Sequence, residues 1–128
     1  MAIPLGAASV VGVGVDAVDV ARLRRTLERT PTFADRAFTD GERALAASRK
    51  DPVPALAARF AAKEAVVKAL SPAEGIGPSQ IEIEAGEPPT VRLRGRAASA
   101  AADAGVEVRV SLTHSREIAA AVAVADPR

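Results

Sequence analysis

The sequence predicts an α+β fold in which a mostly antiparallel sheet packs against one long, buried helix. Three observations lead to this fold class. The stretch Pro54–Leu70 is apolar around almost its whole circumference when plotted at the helical period, as expected for a buried helix. Three short segments in the second half of the chain alternate apolar and polar residues, which is typical of strands. The element order, a strand, three helices, two strands, a helix and two strands, favours segregated antiparallel pairs over a parallel sheet.

Length and composition indicate one soluble domain spanning residues 1–128. The chain contains 48% hydrophobic and 26% charged residues, which are ordinary values for a globular protein. Its net charge of +1 argues against general polyanion binding. The only aromatic residues are three phenylalanines, so the stacking platforms of single-strand nucleic-acid binders are absent from the sequence. We therefore expect no nucleic-acid partner.

The sequence also predicts a cytoplasmic protein without a membrane anchor. The apolar first residues lack the basic start and the small-residue cleavage site of a signal peptide. No apolar run is long enough to span a bilayer. The absence of cysteine excludes disulfides, thiol nucleophiles and thiolate metal sites, and it fits a reducing compartment.

The first strand is predicted from Ser9 to Val15, where β-branched valines dominate. Gly12 and Gly14 inside it indicate a backbone that another element approaches closely. Asp16 is expected where this strand ends.

A helix is predicted over Val20–Arg29, with Asp19 as its N-cap and an end imposed by Pro31. One face of this helix carries a basic stripe of three arginines, Arg22, Arg25 and Arg29. Phe33 and Phe38 are expected to anchor the connecting segment in the core. Thr39 and Glu42 then have the spacing of a capping box, which predicts a short helix ending near Ser48.

Two antiparallel hairpins are predicted after the long helix. The first pairs Ile81–Glu84 with Val91–Arg94 across a proline-rich turn. The second pairs Val106–Leu112 with Ile118–Val124, so that His114 lies in its turn. Between the hairpins, an alanine-rich helix from Gly95 to about Ala104 is expected to end at a glycine in the left-handed conformation.

Charged residues on the buried helix and at element ends mark the candidate site. Lys63 lies in the middle of the apolar helix face and Glu64 at its edge, although burying an ion is costly unless a partner compensates it. One interpretation is structural: Glu64 and Lys68 form an i,i+4 pair, and Lys63 extends its stem along the core. The other is functional: the carboxylates of Asp16 and Glu64 suit a magnesium ion that keeps positions for water and phosphate, with Lys68 and His114 beside it.

Three blocks carry a resemblance to a known family. VGVGVDAVDVARL near the start, LAARFAAKEAVVKAL in the middle and VRVSLTHSREIAAAVAV near the end resemble the signature blocks of the holo-[acyl-carrier-protein] synthase family of 4'-phosphopantetheinyl transferases. They stand in the family's order and spacing, and the resemblance covers essentially the whole chain. The uninterrupted RFAAKEAVVKA, together with SLTH, is its most specific part.

The resemblance implies transfer of the 4'-phosphopantetheine group of coenzyme A to a serine of an apo acyl carrier protein, with release of adenosine 3',5'-bisphosphate. It implies that Asp16 and Glu64 bind Mg²⁺ and that Lys68 and His114 contact the substrate phosphates. Arg59 is expected near the 3'-phosphate, and Lys63 is counted among the residues that bind coenzyme A. The same resemblance places the acidic recognition helix of the carrier against Arg22, with Arg25 and Arg29 as further contacts. It also implies a homotrimer with sites between subunits.

Several points stay open at the level of sequence. The base that removes the serine proton could be a metal-bound water, Glu64, His114 or an acidic group of the carrier. Fatty-acid, polyketide and peptide-synthetase carriers all present acidic helices to a basic stripe. Ser71–Glu74 intervenes where the family commonly has a glycine-rich turn, and we expect this segment to lie along the pantetheine arm or the carrier surface.

Two other functions are compatible with parts of the sequence. A dinucleotide-binding redox module is disfavoured because GVGVD lacks the third glycine and no parallel βαβ pattern follows. A non-catalytic interaction module would use the arginine stripe to bind an acidic partner and would keep Glu64 and Lys68 as a structural pair. A magnesium requirement separates the enzyme from this module.

Overall fold

The computed structural model describes residues 11–128 and confirms the predicted α+β class. The predicted helices and hairpins all occur, with ends within about three residues of the expected ones. The elements are β1 (Gly12–Asp19), α1 (Val20–Arg29), α2 (Phe33–Ala37), α3 (Asp40–Ala47), α4 (Val53–Ala69), β2 (Ile81–Glu84), β3 (Thr90–Leu93), α5 (Gly95–Ala104), β4 (Val106–His114) and β5 (Ile118–Pro127).

The strands form two antiparallel sheets. One has three strands in the order β1-β5-β4, and the other consists of β2 and β3. Both predicted hairpins are confirmed, since β2 pairs with β3 and β4 pairs with β5. The first and last strands of the chain are neighbours in the sheet, since β1 pairs with β5 along its whole length.

Helix α4 lies against β1 at backbone distance, as the two glycines indicated. A Cβ atom built on Gly12 would lie 2.0 Å from the Ala69 carbonyl oxygen. One built on Gly14 would lie 1.8 Å from the Ala65 carbonyl oxygen. Only glycine permits this approach, and it brings the residues that follow Gly14 next to the second half of α4.

The core extends along the whole length of α4. One cluster joins the second half of α4 to the three-stranded sheet, β2 and α5. The other joins its first half to α1, α2 and α3. Phe33, Phe38 and Phe60 meet there with ring centroids 5.7–6.5 Å apart, so the expectation that Phe33 and Phe38 anchor the core is confirmed.

Local capping explains the helix starts in this half of the chain. The Asp19 carboxylate accepts a hydrogen bond from the Arg22 backbone N–H and caps α1. Thr39 and Glu42 form the predicted capping box at α3. At the end of α5, Gly105 has φ +67°, the expected left-handed cap.

Four expectations about local structure need correction. Asp16 does not end the first strand: pairing with β5 continues to Asp19, which is opposite Ile118. The predicted beginning of that strand, Ser9 and Val10, lies outside the described residues. His114 is not in the hairpin turn but is the last residue of β4, paired with Ala119.

The third correction is α2, a five-residue helix over Phe33–Ala37 that the sequence patterns did not indicate. The fourth is a 3₁₀ turn at Pro78–Gln80, in a segment expected to be loop. In the part of the chain from residue 11 onward, no helix combines the length and apolarity needed to cross a bilayer.

Candidate active site

A cavity of about 530 Å³ lies between β1, α1 and α4 and holds both predicted metal ligands. Asp16 reaches it from β1 and Glu64 from α4, because the glycine contacts hold these elements together. Phe33 and Phe60 form its apolar wall, and Arg22 of α1 lines it as well. The cavity thus joins a carboxylate pair, an apolar surface and a cationic group.

The surroundings of Glu64 change the pKa of its carboxyl group. Burial raises the pKa of the Glu64 carboxyl, and the negative charge of Asp16 raises it further, while Lys68 opposes the shift. The effect of Asp16 shows that the two carboxylates interact electrostatically. A site that disfavours two neighbouring negative charges favours the binding of a cation between them.

Lys68 binds the first carboxylate rather than its helix neighbour. Its Nζ donates to Asp16 Oδ1 at 3.1 Å and to the Val15 carbonyl oxygen at 2.9 Å. The structural interpretation of Glu64 and Lys68 as an i,i+4 pair is therefore wrong. With half of its side chain exposed, Lys68 places a positive charge at the edge of the carboxylate pair.

The donor set fits magnesium with two protein ligands. Among the described residues there is no group of three or more acidic, histidine or cysteine side chains that could hold a metal ion. Asp16 and Glu64 would contribute hard oxygen ligands, and Mg²⁺ commonly binds one or two carboxylates plus water and substrate phosphate. The pair therefore suits a metal whose remaining positions face a phosphorylated substrate.

A second cavity, of about 520 Å³, holds Arg59 and His114. It is lined by the α3–α4 connection, α4, the β2–β3 turn and the end of β4. Arg59 is only 7% exposed, and its Nε is the one buried side-chain nitrogen or oxygen within residues 11–128 that lacks a hydrogen-bond partner. Arg49 lines the same cavity. Two guanidinium groups and an imidazole, with Glu87 as the acidic residue of the lining, give this cavity donors suited to an anion.

Sequence reasoning missed Arg49. It stands in a polar break between two helices, where a charged residue carries no signal of its own. Only the structure shows that Arg49 lies in the same cavity as Arg59, which follows it by ten residues in the sequence.

The two cavities lie on opposite flanks of α4. Asp16 is on β1 and His114 on β4, and these are the two edges of the three-stranded sheet on which α4 lies. The cavities share no lining residue. One chain therefore brings together Asp16, Glu64 and Lys68 on one flank, and Arg59 and His114 on the other.

Lys63 belongs to neither cavity. Its side chain is fully buried, and Nζ lies 2.5 Å from Glu42 Oε1. It therefore does not extend toward solvent, and it presents no free surface to a ligand. This position does not fit the expected contact between Lys63 and coenzyme A.

The basic stripe is exposed and leads to the first cavity. Arg22, Arg25 and Arg29 all lie on the solvent side of α1, and Arg22 reaches the cavity itself. Arg24, between them, is instead bound to Asp51. The stripe thus offers three cationic groups to a partner that approaches the carboxylate pair.

Comparison with known proteins places these features in a family. The family model described as the 4'-phosphopantetheinyl transferase superfamily matches residues 12–123. The holo-[acyl-carrier-protein] synthase of Streptomyces coelicolor is 43% identical over 121 residues, which cover 92% of this chain and 98% of that protein.

Solved structures agree with the sequence comparison. The acyl carrier protein synthase of Mycobacterium tuberculosis is 36% identical, with a TM-score of 0.73, and the match covers 94% of this chain and all of that one. The holo-(acyl-carrier-protein) synthase of Bacillus anthracis in complex with CoA (3',5'-ADP) is 28% identical, with a TM-score of 0.75 and coverage of 93% and 98%.

Proposed function

Because the chain belongs to the 4'-phosphopantetheinyl transferase superfamily, we propose that it transfers 4'-phosphopantetheine from coenzyme A to a serine of an apo acyl carrier protein. Adenosine 3',5'-bisphosphate is the other product. The observation that carries the proposal is the Asp16–Glu64 pair, which lies in one cavity with Arg22 of the basic stripe. Fatty-acid, polyketide and peptidyl carriers all remain within this proposal.

In this reaction the serine hydroxyl gives its proton to a base and its Oγ attacks the phosphorus that bears the pantetheine arm, while the bond from this phosphorus to the bridging oxygen of the pyrophosphate breaks and that oxygen leaves with the bisphosphate. Negative charge develops on the phosphate oxygens and on the departing bisphosphate. Magnesium, held by Asp16 and Glu64, would neutralise charge on the pyrophosphate. Lys68, already beside Asp16, adds a positive charge there. The apolar wall of Phe33 and Phe60 limits the access of water to the reacting groups.

The second cavity receives the adenosine bisphosphate end of coenzyme A. Arg59 and Arg49 are suited to its 3'-phosphate, since guanidinium groups bind phosphate through two parallel hydrogen bonds. The unpartnered Nε of Arg59 would gain an acceptor. His114, at the cavity edge, would contact the phosphates.

The two flanks serve one reaction if neighbouring copies of the chain meet, and we propose a homotrimer with sites between subunits. The surface of the sheet that faces away from α4 supports this. Val13 and Val15 on β1 are 56% and 62% exposed, and Val122 and Val124 face the same way on β5. Covering these valines with another copy of the sheet would remove apolar surface from water.

Cellular location follows from the substrates and the composition. Coenzyme A and carrier proteins are used inside the cell, and the chain contains no cysteine that would need an oxidising compartment. We therefore place the reaction in the cytoplasm.

Intact-mass spectrometry tests the proposal. Apo acyl carrier protein is incubated with the protein and coenzyme A, once with Mg²⁺ and once with chelator. We expect a mass gain of one phosphopantetheine group only with Mg²⁺, and none with Asp16→Asn or Glu64→Gln. If fatty-acid, polyketide and peptidyl carriers all stay unmodified, the proposal is wrong and the binding module with its arginine stripe takes its place.

A further inference from the structure

Glu42 and Lys63 form an ion pair in the interior of the protein. Both side chains are fully buried, and Lys63 Nζ lies 2.5 Å from Glu42 Oε1. Neither residue lines the cavity that holds Asp16 and Glu64. Apolar side chains of similar volume often stabilise a fold as well as a buried ion pair does. The distinctive contribution of this pair is therefore the geometry that it fixes.

Each charged atom of the pair is bound to a different part of the chain. Lys63 Nζ donates to the carbonyl oxygens of Ala37, at 2.8 Å, and Pro78, at 3.1 Å, and its third partner is Glu42. The Glu42 carboxylate also accepts the backbone N–H groups of Thr39, at 2.9 Å, and Ile83, at 2.7 Å. The pair thus ties α4 to the ends of α2 and α3, to the 3₁₀ turn and to β2.

This arrangement leaves no hydrogen-bonding capacity of Lys63 unused. An ammonium group has three donors, and here each has an acceptor in the interior. The cation also lies 5.5 Å from the centroid of the Phe38 ring. Rotation of α4 about its axis would break all of these contacts together.

Lys63 directly precedes Glu64, so the two side chains have a fixed relation on the helix. Successive residues point about 100° apart around a helix axis. Fixing the direction of Lys63 therefore fixes the direction in which Glu64 leaves α4, toward the cavity that contains Asp16. The glycine contacts of β1 set how close α4 lies to the sheet, and the contacts of the ion pair oppose rotation of α4 about its axis.

We propose that Glu42, acting through Lys63, is a positioning residue that aims Glu64 at Asp16. Glu42 touches no substrate and no reacting atom in this account. The inference rests on the proposed function, because the carboxylate pair matters only if it binds the metal. Glu42 lines neither cavity and lies 22 positions before Glu64 in the sequence.

The test compares Glu42→Gln and Lys63→Met with Val106→Ala. Glu42→Gln keeps the shape and one amide oxygen but removes the charge, and Lys63→Met removes the ammonium group. Val106 is fully buried on β4, outside both site cavities, so its truncation lowers stability without touching the ion pair. Melting temperature, Mn²⁺ affinity with coenzyme A present, and coenzyme A affinity in chelator are measured well below the lowest melting temperature.

We expect Glu42→Gln to weaken Mn²⁺ binding severalfold, because a Glu64 carboxylate that leaves α4 in a shifted direction no longer matches the strict geometry of a site with two protein carboxylates. Coenzyme A affinity in chelator should change less than about twofold, because the Arg59 cavity lies on the other flank of α4. Lys63→Met should act in the same direction, and Val106→Ala should leave both affinities as in the wild type despite its lower melting temperature.

Two results overturn the inference. If Glu42→Gln has a lower melting temperature but binds Mn²⁺ as tightly as the wild type does, the ion pair contributes to stability alone and does not position Glu64. An equal loss of Mn²⁺ and coenzyme A affinity would indicate general distortion instead of misdirected Glu64. Failure of the proposed function is distinguishable, since the wild type itself would then modify no carrier.

Discussion

Gly14 lies where β1 and α4 touch backbone to backbone, and a methyl group at this position tests how the carboxylate pair is assembled. In Gly14→Ala the new Cβ would lie 1.8 Å from the Ala65 carbonyl oxygen, whereas ordinary contact begins at 3.4 Å. The strand and the helix must therefore separate by roughly 1.6 Å, since neither the carbonyl nor the strand is a flexible side-chain end. Ala65 is adjacent to Glu64, and Gly14 is two residues from Asp16.

The size of the effect follows from this displacement. Overpacking of a well-packed interior costs about 1–3 kcal/mol, and a backbone collision belongs at the upper end. For a chain of this length, about 3 kcal/mol lowers the melting temperature by roughly 10 °C. A displacement of about 1 Å in a catalytic constellation reduces the rate about 100-fold. We therefore expect a moderate loss of stability and a large loss of transfer.

Gly77→Ala is the matched control, because a Cβ atom on Gly77 would meet nothing within 4 Å. Both variants are followed by thermal unfolding and by carrier modification at 20 °C, where each is folded. Gly77→Ala should keep the melting temperature within a few degrees of the wild type. If Gly14→Ala matches it in both stability and transfer rate, the close approach of β1 and α4 does not assemble the site.

Three further predictions concern individual charges. Arg22→Glu should raise the KM for the carrier about tenfold and leave the KM for coenzyme A unchanged, and raised salt should have the same effect on the wild type. Arg128→Glu, which makes the same charge change at an exposed position away from the cavity, is the control and should leave both KM values unchanged. The fold raises the pKa of Glu64, so the folded state holds this proton more tightly than the unfolded chain does. In chelator, the free energy of unfolding of the wild type should therefore fall relative to that of Glu64→Gln as the pH rises from the ordinary glutamate pKa through the raised one. Parallel curves of stability against pH for the two proteins would contradict the raised pKa. His114→Ala should lower coenzyme A affinity in chelator without changing the melting temperature by more than a few degrees, and unchanged affinity would remove His114 from the second cavity.

Local patterns were sufficient for most elements of the fold. The cap at Asp19, the capping box at Thr39 and the left-handed Gly105 each depend on residues close in sequence, and each is confirmed. Alternating segments predicted both hairpins, because the period of two directly reflects a sheet with one buried face. Gly12 and Gly14 predicted a close approach, although the sequence did not say which element approaches.

Long-range pairing was beyond the reach of these patterns. The sequence pattern at Glu42 indicates only a capping box. In the structure, the Glu42 carboxylate both completes that capping box and forms the ion pair with the buried Lys63. The pairing of Lys68 with Asp16 joins residues 52 positions apart. α2 is only five residues long, too short for a helical period to be recognised. The separation of the candidate site into two flanks of α4 likewise appears only once the sheet order is known.

We propose that the Asp16 flank of one subunit and the His114 flank of another form one transfer site. Asp16→Asn and His114→Ala chains are co-expressed with different affinity tags, and mixed oligomers are compared with each variant alone. With equal, random mixing in a cyclic trimer, about one site in four combines an intact Asp16 with an intact His114. At coenzyme A concentrations too low to saturate the His114→Ala chain, the mixed oligomers should therefore recover up to about a quarter of the wild-type transfer rate, well above either variant alone. Mixed oligomers as inactive as the separate variants would contradict the claim and place the whole site within one chain.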